Sequence, residues 1–414
     1  MVKNKSFLVC VFAFCVACSA FAQRRLSLEE CVALAEKNNF NMKIAEASAE
    51  RAIAMKGTAW DVGRTELSLS QDPTSGGSPD NAISLSQQME FPTVYMARRR
   101  QLKAEAVAES KRRDVVLADL RADIASTYYQ ILYCQEQRAL LLAQDSVLKR
   151  YVEVAETRYK TGEARQMEWL SAKRMLRENG LLVAAADDEL AVAALRLQSL
   201  VGSDFEVMPS SVGLEPIAFD SCLTYNYESS AQGTWAHARL KALDCAVASA
   251  RCEFAPSLTV ALRNQFVISG WNPYNENRAR YAGGNFMGFE VGIGIPLFYG
   301  ATRAKLKAAR KERDIARLEM QSEADNLQKD RSVAMTRLMS AKRRLDYYNG
   351  TGLSATEEMA RLGRLEYENG EIDYVEYMNV LQQWTDAQLK RATAINDFNQ
   401  AVVEMRRGMW QNAL

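Results

Sequence analysis

A stretch of 69 residues, 93–161, contains neither glycine nor proline, and no other feature constrains the fold of this chain as strongly. As a single helix it would extend about 100 Å, several times the length of an ordinary globular helix. Apolar side chains recur within it at three- and four-residue steps: Leu117, Leu120, Ile124, Tyr128 and Ile131. Two further runs without glycine or proline cover residues 301–349 and 371–407. We therefore predict long antiparallel coiled-coil helices that pack against one another.

Four short segments have a different period, because apolar side chains alternate along them with small or polar ones. These segments are residues 65–71, 81–91, 257–268 and 286–297. In the last one Phe289, Val291 and Ile293 fall on one side, whereas Glu290 and Gly292 fall on the other. A period of two is that of a strand with one apolar face. Turn-forming residues join the segments in pairs, which predicts β-hairpins at 65–91 and 257–297.

The N-terminal residues have the pattern of a secretory signal peptide. Two early lysines precede an apolar run, and Ala20-Phe21-Ala22 forms a small-residue cleavage site, so we expect residues 1–22 to be removed and the mature chain to begin at Gln23. Lipidation of Cys18 remains an open alternative, since residues 16–18 partly resemble a lipoprotein signal. The mature chain contains no run of about 18 apolar residues, and no transmembrane helix is predicted.

The charge balance and the absence of catalytic motifs exclude several classes of protein. Basic and acidic residues number 52 and 51, a formal net charge of +1 that indicates no nucleic-acid partner. His237 is the only histidine, and no nucleophile, phosphate-binding or metal-binding motif is present. We therefore predict that the protein is not an enzyme and has no catalytic residues, cofactor or metal site.

Two halves of the sequence repeat each other. Residues 88–104 align with 292–308 at an offset of 204, and residues 158–172 align with 366–380 at an offset of 208. The matched positions include Arg99 with Arg303 and Gly162 with Gly370. We predict a first structural repeat over residues 23–225 and a second over 226–414, each consisting of long helices that carry one hairpin.

Secretion and one-faced strands together predict a lipid-facing sheet. In hydrocarbon every backbone group needs a partner, so a spanning sheet must close on itself. Four strands cannot close around a channel, whereas three chains would supply 12. Aromatic side chains are expected at the two membrane interfaces, near one end Phe91, Tyr95, Phe298 and Tyr299, and near the other Trp271, Tyr274 and Tyr281. The alternative is a soluble sheet with one buried face.

Four segments together resemble the TolC-like outer-membrane factors of Gram-negative efflux and secretion systems. They are LSLEECVALAEKNN (26–39), IPLFYGATRAKLKAA (295–309), YKTGEARQMEWLSA (159–172) and YENGEIDYVEYMN (367–379). The resemblance covers nearly all of residues 23–414. It implies a homotrimer with a 12-stranded outer-membrane β-barrel, a periplasmic α-helical barrel, and short equatorial elements near residues 203–230 and 350–365.

The resemblance also implies a function and partners. The chain would be a passive export duct across the periplasm and outer membrane, in a tripartite efflux pump or a type I secretion system. Its partners would be a periplasmic adaptor protein, an inner-membrane pump and outer-membrane lipid, and the exported substrate would be selected by the pump. The competing interpretation is a pore-less periplasmic coiled-coil protein with a structural or adhesive role.

Two sets of site residues follow from the resemblance. The turns between helices, which contact the adaptor in this family, correspond here to Thr161, Gly162, Glu163, Asn369, Gly370 and Glu371. Related proteins close the tube with a tyrosine, an arginine and two aspartates. Tyr367 matches the tyrosine, Glu376 and Asn379 stand where the aspartates would be, and Ile372 replaces the arginine. Asp373, one turn before Glu376, completes the expected periplasmic gate.

Overall fold

A computed structural model describes residues 24–73, 79–219, 226–266 and 285–407, and within them the chain is mainly helical with a small β part. The helices are α1 (Leu28–Asn38), α2 (Phe40–Met55), α3 (Pro92–Lys160), α4 (Gln166–Val201), α5 (Ala231–Cys252), α6 (Gly300–Tyr347), α7 (Leu353–Glu368) and α8 (Tyr374–Arg406). The strands are β1 (Arg24–Leu26), β2 (Thr65–Pro73), β3 (Pro79–Glu90), β4 (Val207–Pro209), β5 (Ser257–Phe266) and β6 (Asn285–Gly294). The predicted signal peptide, Gln23 and the aromatic residues Trp271, Tyr274 and Tyr281 lie outside the described residues.

The long helix predicted from residues 93–161 is confirmed as α3, which is continuous over 69 residues. Pro92 occupies its first position, where the absent N–H of proline leaves no helical hydrogen bond unmade. The other two predicted runs form α6 and α8. All three long helices therefore follow directly from the absence of residues that interrupt a helix.

The expectation of short elements at residues 350–365 is wrong, because most of this segment belongs to α7. A π-turn over Tyr348–Gly352 joins α6 to α7, and Gly350 leaves helical geometry there, with φ −99° and ψ −111°. A Cβ atom on Gly352 would lie only 2.7 Å from the ring of Tyr347. The glycines thus bend the helical path without ending it.

The chain divides into two compact units, each built from non-contiguous segments. The first comprises Met1–Ala45, Arg113–Gln232 and Ala324–Leu414, and the second comprises Glu46–Arg112 and Gly233–Glu323. Each unit draws on both halves of the sequence. The division into repeats at 23–225 and 226–414 is a different partition and stays a prediction.

The core of the first unit lies between helices α1, α3, α4, α6 and α8. Its most deeply buried side chains, with at most 2% of their surface exposed, include Ile124, Ile131, Leu197, Ile395 and Val402. Truncating such a side chain to alanine costs about 2–5 kcal/mol. Strand β1 pairs in parallel with β4, so that Arg24 lies opposite Val207 and the segment before α1 is attached to this core.

A row of polar contacts fixes α3 against α8. Hydrogen bonds join Tyr133 to Thr393 (3.3 Å), Gln130 to Asn396 (3.1 Å) and Ser126 to Gln400 (2.6 Å), and Arg407 bonds Asp123 (3.0 Å). Apolar side chains tolerate sliding by a helical turn, whereas these directional bonds are satisfied in one alignment only. The row therefore sets the antiparallel register of the two helices.

The second unit contains a four-stranded antiparallel sheet in the order β2-β3-β5-β6. Both predicted hairpins are present, and pairing of β3 with β5 joins them into one sheet. Strand β6 ends at Gly294, three residues before the predicted end. Pro296 explains the difference, because it has no N–H to donate to a sheet.

Candidate membrane face and helical tips

The register of the sheet brings the apolar side chains of all four strands onto one face. Leu67 lies opposite Leu85, Leu85 opposite Leu262, and Leu262 opposite Phe289. In the adjacent row, Val260 lies opposite Val291. Further apolar residues on the same face are Leu69, Ile83, Met89, Leu258 and Ile293. The exposed fraction is 72% for Leu67 and 81% for Phe289. The face is mainly apolar and exposed, although polar residues such as Thr65, Gln87 and Asn264 interrupt the apolar rows.

The opposite face of the sheet is polar or small. Ser68 and Ser84 share a hydrogen bond of 2.6 Å across the first hairpin, and Ala261 lies opposite Glu290. Arg263 lies opposite Gly288. One face therefore suits an apolar medium and the other suits water, which is the distribution found in strands that separate lipid from an aqueous interior.

The strands also have the length required to cross a bilayer. They contain 9, 12, 10 and 10 residues in chain order. A tilted strand of about 9–11 residues spans the hydrocarbon layer. A soluble sheet of this size would normally cover its apolar face with a helix or a second sheet.

An aromatic pair lies at each junction between sheet and helix. Tyr95, which was expected at a membrane interface, is instead buried in one of these pairs. Tyr95 is buried, stacks on Trp60 at 5.2 Å, and its hydroxyl accepts a hydrogen bond from the N–H of Glu90 (2.9 Å). In the second half Tyr299 stacks on Phe254 at 5.7 Å. Of the four predicted interface side chains that the structure describes, Phe298 is the most exposed, at 92%. Tyr95 thus anchors the junction and does not face lipid.

The two turns at the far end of the helices have the same hydrogen-bond pattern. Gly162 donates to the carbonyl of Tyr159 (3.2 Å) and Glu163 to that of Arg158 (2.9 Å). Gly370 donates to Tyr367 (3.1 Å) and Glu371 to Glu366 (2.8 Å). Both are Schellman motifs, which need a left-handed residue after the helix, and the two glycines have φ +79° and +76°.

All six predicted tip residues are exposed in the described structure. The Thr161 hydroxyl donates to the carbonyls of Thr157 and Arg158, and the nearby Glu163 is exposed. A Cβ on either Gly162 or Gly370 would meet nothing within 4 Å. The two glycines are therefore required by backbone conformation and not by close packing, and the surfaces of the turns are accessible to another molecule.

The predicted gate residues cluster beside the second turn, in arrangements that the sequence analysis did not identify. Asp373 is the N-cap of α8: its carboxylate accepts from the N–H of Glu376 (2.8 Å), and the Glu376 carboxylate accepts from the N–H of Asp373 (3.4 Å). This is a capping box, and the D-x-x-E spacing before an apolar helix was its detectable signal. Both carboxylates and Asn379 are exposed.

An aromatic cluster lies next to this capping box. Tyr367 stacks on Tyr377 with centroids 5.0 Å apart, and Tyr374 packs against Tyr367 (5.4 Å) and Tyr151 (5.1 Å). Burial, followed by the neighbouring phenols of Tyr367, Tyr151 and Tyr377, raises the pKa of Tyr374 to about 12. The cluster joins α7 and α8 to α3 near the tips.

Among the described residues, no helix has the length and hydropathy needed to cross a membrane. The same residues contain no group of three or more His, Cys, Asp or Glu side chains placed to hold a metal ion.

Comparison with known proteins identifies the class. The family model described as "Outer membrane efflux protein" matches residues 32–203 and 234–409. This chain belongs to the outer membrane efflux protein family, a family of transport channels and not of enzymes. Its function is that of the outer-membrane channel of a tripartite efflux pump, which decides against the pore-less alternative.

Solved structures show the same fold at low sequence identity. The structure of CusC is matched with a TM-score of 0.75 at 16% identity, over 94% of this chain and 92% of the other. The CmeC outer membrane channel of Campylobacter jejuni is matched with a TM-score of 0.75 at 16% identity, over 92% of this chain and 85% of the other. VceC of Vibrio cholerae is matched with a TM-score of 0.72 at 15% identity, over 92% of this chain and 95% of the other. No curated protein sequence matches this chain significantly.

Proposed function

We propose that three copies of this chain form one export duct, in which each copy contributes four strands to a 12-stranded β-barrel in the outer membrane. The helices of the three copies would enclose the continuation of the duct in the periplasm. The observation that carries this proposal is the exposed apolar face aligned across β2, β3, β5 and β6. The outer strands β2 and β6 each have one edge that pairs with no other described strand, and pairing between neighbouring copies would satisfy both edges.

The helical turns are proposed as the docking surface for a periplasmic adaptor protein, which would connect the duct to an inner-membrane pump. Support comes from the exposure of Thr161, Gly162, Glu163, Asn369, Gly370 and Glu371 and from their twin geometry. Exposed turns on a rigid helical scaffold are suited to recognition because their side chains contribute little to folding. Replacing Glu163 by lysine is expected to leave the channel in the membrane and to abolish export.

The periplasmic end is proposed to close around Tyr367, Asp373, Glu376 and Asn379. In a trimer each exposed carboxylate would occur three times around the axis, and like charges in a narrow passage favour cations. The capping box supports this arrangement, since it holds the Asp373 and Glu376 side chains in one conformation. No catalytic step and no cofactor are part of the proposed function.

Paired substitutions on the two faces of β6 test the shared barrel. Ile293 lies on the apolar face and is 64% exposed, while its neighbour Gly292 lies on the other face with room for a Cβ, 3.7 Å from that of Thr259. Ile293→Arg should cost about 2–4 kcal/mol in lipid contact and abolish assembled trimers in the outer membrane. Gly292→Arg should still assemble and should reduce conductance. Equal assembly of both variants would contradict the barrel.

A further inference from the structure

The two helices that leave the sheet begin with unusually basic segments. The first 12 residues of α3, 92–103, contain Arg98, Arg99, Arg100 and Lys103, and the first 12 of α6, 300–311, contain Arg303, Lys305, Lys307, Arg310 and Lys311. Neither segment contains an acidic residue. The local charges are thus +4 and +5 in a chain whose net charge is +1.

The same basic pattern occurs at corresponding positions of the two halves. Arg99 aligns with Arg303 and Lys103 with Lys307 at the offset of 204 that relates these segments. The first turn of α3 has no charged residue, and its basic residues begin in the second turn, where the helix dipole has little effect. A charge pattern that recurs in both halves, and that the helix itself does not require, is expected to have a role outside the helix.

The position of these residues relative to the apolar face suggests the role. Helix α3 begins two residues after the end of β3, and α6 begins six residues after the end of β6. Arg99 and Lys307 therefore lie about 10 Å along their helices, and helical side chains lean back towards the N-terminus, here towards the sheet. A headgroup layer begins where the hydrocarbon ends, and long basic side chains reach it by extending along the surface.

The cationic groups are available to a ligand. Arg99, Lys103, Arg303 and Lys307 are exposed, and within the described residues none of them forms an ion pair. Lys305 pairs with Glu253 at 3.2 Å, and Lys311 pairs with Asp314 at 3.6 Å. These four charges are therefore uncompensated by ion pairs among the described residues, at the margin of an exposed apolar surface.

A groove beside α3 has both apolar and cationic side chains in its lining. It has a volume of about 480 Å³ and is lined by Met96, Ala97, Ala248 and Cys252, with Arg100 and Lys241 among its polar residues and Asp244 as its carboxylate. An apolar lining with two cations suits the glycerol and upper acyl region of a phospholipid with its phosphate.

We infer that these basic residues form a collar, defined as Arg99, Lys103, Arg303 and Lys307, which binds the headgroups of anionic phospholipids in the leaflet next to the helices. The inference rests on the proposed function, because it requires the apolar face to lie in a membrane. Phospholipid is favoured over other polyanions because the collar adjoins the exposed apolar face, which a purely water-soluble polyanion would not cover.

The test measures lipid selectivity by electron spin resonance of spin-labelled lipids around the purified channel in phosphatidylcholine vesicles. Labelled phosphatidylglycerol should be preferred over labelled phosphatidylcholine at least about twofold at low salt, and the preference should weaken at high salt. The test variant replaces Arg99, Lys103, Arg303 and Lys307 by glutamine. The matched control replaces Lys329, Arg337, Lys342 and Arg343, four exposed basic residues further along α6.

In the collar variant the preference should fall to about one, whereas the control should keep the wild-type value. All four side chains are exposed, and exposed substitutions of this kind usually change stability little, so the variant is expected to fold and assemble. If the collar variant keeps the preference for phosphatidylglycerol, or if the control loses it equally, the proposed lipid-binding role of the collar is wrong. Co-sedimentation with purified peptidoglycan that is lost in the collar variant, with lipid selectivity unchanged, also overturns it. A channel that fails to enter vesicles at all contradicts the proposed function instead.

Discussion

The ring of Tyr367 lies parallel to the ring of Tyr377, with 5.0 Å between centroids and 5° between planes. Tyr159 and Trp169 stack in the same way at the first turn, at 5.5 Å and 5°. Both pairs are related by the offset of 208 that relates the two halves of the sequence near the tips. The two tips thus share an aromatic stack as well as a Schellman turn, although only one of the four aromatic residues had been matched as a gate residue.

Gly370→Ala should destabilise the second turn by about 1–2 kcal/mol, because φ +76° is costly for a residue with a Cβ even where space is free. Gly180→Ala is the matched control, since Gly180 is exposed in the interior of α4 with nothing within 4 Å of a new Cβ. That change should stabilise the chain by about 1 kcal/mol. The thermal midpoints of the two variants, followed by circular dichroism, should move in opposite directions. Shifts of the same sign would argue against a strained turn.

Glu376→Gln separates the two roles of this residue. Glutamine can replace glutamate in a capping box, so the start of α8 should be unaffected, while the charge is lost. Single-channel recordings in planar bilayers should show reduced cation selectivity with unchanged trimer stability. Glu376→Ala should reduce selectivity and also weaken the helix start by about 1 kcal/mol. If Glu376→Gln keeps full selectivity, Glu376 does not line the passage.

Asn399→Ala should be among the more destabilising single changes in α8. The side chain is fully buried, accepts from the N–H of Ile217 (2.8 Å) and donates to the carbonyl of Glu215 (2.9 Å). Alanine leaves both backbone groups without these partners, at about 1–3 kcal/mol. Denaturant unfolding of the assembled protein measures the loss. Gln383→Ala, an exposed site on the same helix, should change stability by less than about 0.5 kcal/mol, and a similar effect at both sites would refute the role of Asn399.

The raised pKa of Tyr374 predicts that the aromatic cluster near the tips weakens at alkaline pH. Its pKa is about 12 in the folded chain against an ordinary value of 10.0, so the unfolded chain loses the proton first as pH rises. Its contribution is present in full below pH 10 and is lost progressively between about pH 10 and 12. Burial also raises the pKa of Tyr129 and of Tyr151, so absorbance titration at 295 nm should show several late-titrating phenols, with one fewer in Tyr374→Phe. An unchanged late phase in that variant would assign it to another tyrosine.

The parts of the fold that the sequence predicts well depend on neighbouring residues. Helix α3 is long because residues 93–161 contain nothing that interrupts it, and the apolar face of β6 follows from strict alternation. The turn glycines were also identifiable, since only a left-handed position requires glycine so strongly at both Gly162 and Gly370. In each case the decisive information lies within a few residues.

The remainder depends on contacts between distant segments. Tyr151 meets Tyr374 from a position 223 residues earlier, and no pattern within either helix indicates that contact. The burial of Tyr95 depends on Trp60, which a short 3₁₀ turn places against it. Asn399 resembles any polar helix residue until its partners at 215–217 are known. Such pairings are set by how the elements pack, which periodicity does not encode.

The open edges of β2 and β6 have a consequence for biogenesis. Outside a membrane, a chain with an exposed apolar sheet and two strand edges that no described strand covers is prone to aggregate, so we expect it to be held by a chaperone or to keep this region unfolded during export. In the proposed shared barrel, neighbouring copies pair with these edges, so membrane entry and association become a single cooperative event. The rate at which mature channels appear should then rise more steeply than linearly with the supply of chains, and partial synthesis should yield degradation products in place of smaller pores.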